Sequence, residues 1–173
     1  LATDTNAKEN RKNIMKLPFA IKDIASAYKA ARYLVEAAKA DALADSEAKD
    51  ELEISKLKAA WGASGSKLTA GGSKAVKELE KEQKSRLTRM VRDYLDRALL
   101  DLSTLYRDVL LVQSGSNDSL INEDFKSEIS KLAATEGPPR TLKKIEAILK
   151  TRSNLAQNAA PLLLIEALMC ELR

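Results

Sequence analysis

Five cations on one stretch of chain carry the clearest chemical potential: Lys74, Lys77, Lys81, Lys84 and Arg92. At about 100° per residue on a helix they fall within roughly an 80° arc beside an apolar stripe. A one-signed row of this kind attracts phosphate groups or an acidic partner. No aromatic residue lies between them, so the spacing supplies neither base readout nor stacking. Direct DNA binding is therefore expected to be weak at most, sequence-independent and salt-sensitive. The neighbouring carboxylates offer less. Glu82 and Arg86, like Asp93 and Arg97, stand four residues apart, which predicts surface ion pairs rather than an acid/base pair built from Glu78/Glu82 or Asp93/Asp96.

Other chemistry is excluded by residue type. The chain has no histidine, which removes the Ser-His-Asp triad, the Cys-His dyad and His-ligated zinc. Its one cysteine, Cys170, excludes an internal disulfide and sits in the apolar run 162–172, where it reads as a buried, inert thiol. Lys67 and Lys74 lack the glycine frame of a phosphate loop. The expectation is no catalytic residue, no cofactor and no metal on this chain.

The elements that must position the cations are helices. Alanine and leucine contribute 26 residues each, glycine only 6 and proline 4, while aromatics make up 4%. Strong helix formers with few breakers and few β-branched or aromatic residues predict an all-α fold, a helical bundle with a long antiparallel hairpin. Asp4 is placed to cap a short helix to about Leu17, with Pro18 opening the next. An apolar stripe from Ile21 to Val35 fades over 45–51 and resumes at Ile54, Leu57 and Trp61, giving one helix or two joined near 45–50. Residues 62–73 read as a flexible linker. A helix of about 40 residues, 74–112, follows, ~60 Å long at 1.5 Å per residue. After a turn at 114–118, a helix capped by Asn122 runs to about Thr135 and stops at Gly137-Pro138-Pro139. Helices at about 141–156 and 160–172 complete the chain, the last with Pro161 in its first turn and Asn158 as a cap.

Two segments carry more apolar residues than one face needs. Around 99–111, Leu100, Leu110 and Leu111 flank the main stripe, with Arg107 and Asp108 expected on the polar side; a central core helix or a partner interface would explain this. The run Leu162 to Ile165 goes nearly all the way round its helix. The candidate subunit interface is Tyr106, Arg107, Leu162, Leu163, Leu164 and Leu168. Net charge is +4, no apolar stretch approaches a membrane span, and no signal peptide is present, so a cytoplasmic chain is expected. It opens at Leu1 without an initiator Met and reads as a fragment of something longer.

Tyr106-Arg107-Asp108-Val109-Leu110, with Leu155, Asn158, Leu162, Glu166 and Leu168 in the tail, resembles the C-terminal collar of bacterial clamp-loader subunits, nearest the delta-prime type of DNA polymerase III. Leu79 to Arg86 is similar to the same type from high-GC Gram-positive bacteria, and Leu1-Ala2-Thr3-Asp4 resembles the passage from an AAA+ lid domain into the collar. The resemblance implies residues 1–17 as a lid remnant and 18–173 as an oligomerisation domain. It also implies hetero-oligomeric assembly with other loader subunits, contact with DNA through the assembled complex, and location at the replisome. The family's zinc-binding region and arginine finger belong to a module that this sequence does not contain. Two other readings compete: the collar of the loader's ATPase subunit, and a free-standing basic bundle that binds nucleic acid.

Overall fold

A computed structural model describes residues 2–61, 69–116, 118–157 and 159–173. Six α-helices account for most of them: α1 (Ala2–Ala20), α2 (Ile24–Ala60), α3 (Ala70–Gln113), α4 (Lys126–Thr135), α5 (Pro138–Ala156) and α6 (Pro161–Glu171), with a single 3-10 turn at Glu123–Phe125 leading into α4. The all-α expectation holds, and no strand occurs among the described residues.

Several helix ends differ from the sequence reading, each for a local reason. Helix α1 continues through Pro18, so Asp4 lies inside it and the division at 17/18 falls within a helix. Proline has no amide to donate, and the helix stops two residues later. The break comes instead at 21–23, where Asp23 and Ser26 satisfy each other's chain ends. The Ser26 amide donates to Asp23 Oδ1 (2.7 Å), while the amides of Lys22 and Asp23 donate to Ser26 Oγ (2.9 Å each). The Ser26 hydroxyl and amide hold the Asp23 carboxyl below its ordinary range. Helix α2 is one continuous helix through the polar stretch 45–51. Residues 62–68 of the expected linker lie outside the described residues; 70–73 form the first turn of α3, whose entry is capped by Thr69 Oγ1 accepting from the Gly72 amide (3.1 Å). Pro138 and Pro139 do not precede α5 but occupy its first positions, where a missing amide costs nothing. Asn158 also lies outside the described residues.

The chain divides into two compact units. The first gathers the residues up to Ala37 with Leu95–Arg173, and the second is Ala38–Tyr94. In the first, Met15 of α1, Leu105 and Val109 of α3, Phe125 and Ile129 form one buried cluster, with Phe19, Leu120, Leu132 and Ala133 against it. Leu95, Leu99, Leu102, Tyr106, Ile148, Leu155, Ile165, Leu168 and Met169 are buried as well. Helix α6 buries Ile165, Leu168, Met169 and Leu172, the i, i+3, i+4, i+7 stripe of one face. Cys170, beside that stripe, is half-buried rather than fully enclosed.

The second unit has a thinner core of Ala38, Ala42 and Val76, with the polar side chains Ser46 and Gln83 also buried. Its cross-contacts run in antiparallel order: Tyr94 donates to Asp45, Gln83 reaches the Asp50 carbonyl (3.0 Å), and Trp61 stands against Gly71. Small alanines let α2 and α3 approach closely, and polar clamps then substitute for a deeper apolar core.

Candidate interaction surfaces

Asp108 is the polar centre of the first unit. The helical pattern placed it on a polar face; it is fully buried instead. Its carboxylate accepts from the Asn122 amide (2.8 Å), the Ile121 amide (3.2 Å), Asn122 Nδ2 (2.9 Å) and Arg107 Nη1 (2.8 Å). Burial alone would push this carboxyl up, but the four donors together outweigh it and hold it below its ordinary range. Asn122 precedes the 3-10 turn as expected, yet its side chain makes no cap. It serves Asp108 and Thr104 as a donor and accepts from Arg11 Nη2, while Arg11 Nε pairs with Asp101 (3.2 Å). One carboxylate thus ties α3 to the turn after it, and Asn122 extends the tie to α1.

The residues expected at a subunit interface separate into two groups. Tyr106 and Leu168 are buried in the chain's own core and are spent there. Burial pushes the Tyr106 phenol far up, with the Glu136 charge adding to the effect and Arg140 opposing it. Arg107 stays about half exposed, and Leu164 is partly covered. Leu162 and Leu163 face outward at 39% and 67% exposure, and Leu142 and Leu149 of α5 are exposed to a similar degree. Helices α5 and α6 pack on each other, so each buries one face and still leaves leucines outside.

In the second unit Lys74, Lys77, Lys81 and Lys84 are all exposed, whereas Arg92 is half-buried. The residues of α3 that turn toward α2 are Val76, Gln83 and Arg86, so the lysines occupy the outward side of the helix. Arg86 does not settle on its own helix as the i, i+4 spacing with Glu82 suggested. It crosses to α2, with Nη2 at 2.5 Å from Asp50 and 2.6 Å from Glu53. Hydrogen bonds from Arg86 and Gln83 hold the Glu53 carboxyl below its ordinary range. Asp96 likewise reaches another helix and takes a two-pronged contact from Arg152 (2.7 and 3.0 Å). Asp50, Glu53 and Asp96 thus act as structural partners of arginines from other helices. Among the described residues no group of three or more His, Cys, Asp or Glu could hold a metal ion, and no helix is long and apolar enough to cross a membrane.

Residues 80–173, more than half of the chain, match the protein family described as DNA polymerase III, delta subunit, C terminal. The chain belongs to that family. It is a clamp-loader-related subunit, and the delta-prime type suggested by Tyr106 to Leu110 is a narrower reading. No curated protein and no solved structure matches the chain. The delta-family segment contains the whole Asp108 network except Arg11, and the outward leucines of α5 and α6. Lys81 and Lys84 fall inside it; Lys74, Lys77 and Trp61 lie ahead of it.

The same delta-family segment holds a nearly buried ion pair, which no spacing rule pointed to. Lys144 of α5 is 3% exposed, with Nζ 2.5 Å from Glu136 and 5.6 Å from the centroid of the Tyr106 ring. Gln113 Nε2 donates to the Glu136 carbonyl (2.6 Å), which fixes the end of α4 against α3. Breaking this pair leaves a nearly buried carboxylate without its cation. Lys144→Met is expected to lower the unfolding free energy by about 2 kcal/mol in urea titration, and adding Glu136→Gln should recover part of that loss.

Proposed function

We propose that this chain is the C-terminal assembly domain of a clamp-loader subunit of the delta-prime type. In this reading it joins other DNA polymerase III subunits in a hetero-oligomeric ring that loads the sliding clamp on primed DNA in the cytoplasm. The chain acts by binding its neighbours and carries out no chemistry itself. The observation that carries the reading is the coincidence of the family match with an all-α unit whose last helix keeps Leu162 and Leu163 outside its own core. Apolar side chains left on the outer face of a terminal helix are stabilised by a partner that removes them from water.

The test is native mass spectrometry of the full chain mixed with the remaining loader subunits. One copy of the chain taken into a defined hetero-oligomer is the expected result. A chain that stays alone while the other subunits assemble would overturn the proposal. So would ATP turnover by the isolated chain that disappears on mutating one of its own residues.

A further inference from the structure

The sequence separates Trp61 from the lysine row by the whole stretch 62–73, but the fold seats it against Gly71, in the first turn of the helix that carries the row. A methyl group placed on Gly71 would stand 2.9 Å from Cζ3 and 3.3 Å from Cη2 of Trp61, so the six-membered ring of the indole packs against that glycine. Gly71 is one turn ahead of Lys74 on α3, and its missing side chain is what admits the ring. The indole remains 45% exposed. Lys74, Lys77, Lys81 and Lys84 then continue along the outward side of the same helix, over about 15 Å at 1.5 Å per residue. Among the described residues Lys81 alone of the four makes an ion pair, a loose one at 3.8 Å to Glu78, with both side chains largely exposed. Exposed pairs of that kind are weak and yield readily to a competing anion.

We propose that Trp61 and this lysine row together bind a single nucleic-acid strand, with backbone phosphates on the lysines and one base stacked on the indole. A strand with unpaired bases can offer a π-face to an aromatic side chain, whereas duplex bases are already stacked on one another. Ser85 and Thr88, both exposed, fill the arc between the lysines and Arg92. The outward side therefore has no apolar strip to enter a lipid surface. An acidic protein would be drawn by the charge but would have no base for the indole. The proposal does not depend on ring assembly, because both features lie in the 38–94 unit.

The chain's only tryptophan is Trp61, so its fluorescence reports the site directly. In low salt, titrating the full chain with a short oligothymidylate should quench it. Four lysine contacts predict that log K falls against log salt with a slope of about −3, a loss of roughly 50-fold between 50 and 200 mM. Reversing Lys77, Lys81 and Lys84 to Glu should abolish binding with helicity unchanged, since all three are exposed. If that triple variant lost helicity, the single Lys→Gln variants would divide the same loss among them. Trp61→Ala, followed by anisotropy of a labelled strand, should bind about tenfold more weakly with the salt slope preserved. Absence of quenching by the wild-type chain, full affinity in the folded lysine variants, or full affinity in Trp61→Ala would each overturn the proposal. A matching duplex that binds as tightly as the strand would also overturn it.

Discussion

Replacing Asp108 with Ala should destabilise the first unit by about 4 kcal/mol, the largest loss expected from removing any one polar side chain of this chain. The reason is the geometry of its donors. Two backbone amides, those of Ile121 and Asn122, point at one buried carboxylate together with the side chains of Asn122 and Arg107. Alanine leaves these donors without their acceptor, and each buried donor without one costs about 1–3 kcal/mol. The turn 118–122 should detach first, and with it the hold of Asn122 on Arg11. Hydrogen exchange at 119–125 should accelerate more than at α5 or α6. The effect also has a defined pH dependence. The folded-state pKa of Asp108 lies below its ordinary 3.8. Its contribution is therefore complete above that ordinary value and is lost as pH falls through the lower, folded value. The stability gap between wild type and Asp108→Ala should be constant from neutral pH to about pH 5 and narrow below pH 4. A gap independent of pH across that range would mean that the charge of Asp108 contributes nothing beyond its shape.

This carboxylate also marks where sequence reading ends. The long helix, its stop at Ser114-Gly115, and the last two helices were legible because stripes at helical period lie between glycine and proline breakers. The family was legible from Tyr106 to Leu110 and the leucine tail. Nothing in the period could tell that Asp108 turns inward: beside Arg107 it reads as half of an exposed pair. The donors that make burial tolerable come from a turn 13 and 14 residues later. Arg86 was misplaced for the same reason, because an i, i+4 acid on its own helix competes with two acids on α2 that only the folded hairpin brings close. Trp61 read as the last residue of an apolar stripe, and its seat on Gly71 depends on how α2 and α3 meet. A possible signal was Gly71 itself, a poor helix former retained in the first turn of a long helix. Tyr106 and Leu168 enter the candidate interface because an apolar surplus alone does not tell which of its residues face the core. The count was informative for Leu162 and Leu163, which do stay outside.

That pair carries the second large effect. Leu163 is 67% exposed, while the buried stripe of the same helix is Ile165, Leu168, Met169 and Leu172. A charge at 163 therefore touches no core residue of α6 and should change the melting temperature little, as is usual for exposed positions. At the centre of an interface, the same charge would be desolvated without a partner, a penalty large enough to eliminate binding. Leu168→Glu is the contrasting case, since it places a carboxylate in the core and should unfold the first unit outright. The most direct measurement is uptake of wild-type and Leu163→Glu chains into the reconstituted loader by native mass spectrometry, with thermal melting of each chain measured alongside. Wild-type uptake, loss of uptake for Leu163→Glu and matching melting curves are the results expected of an assembly domain that binds through the outer face of α6. Equal uptake of the two chains would contradict that account.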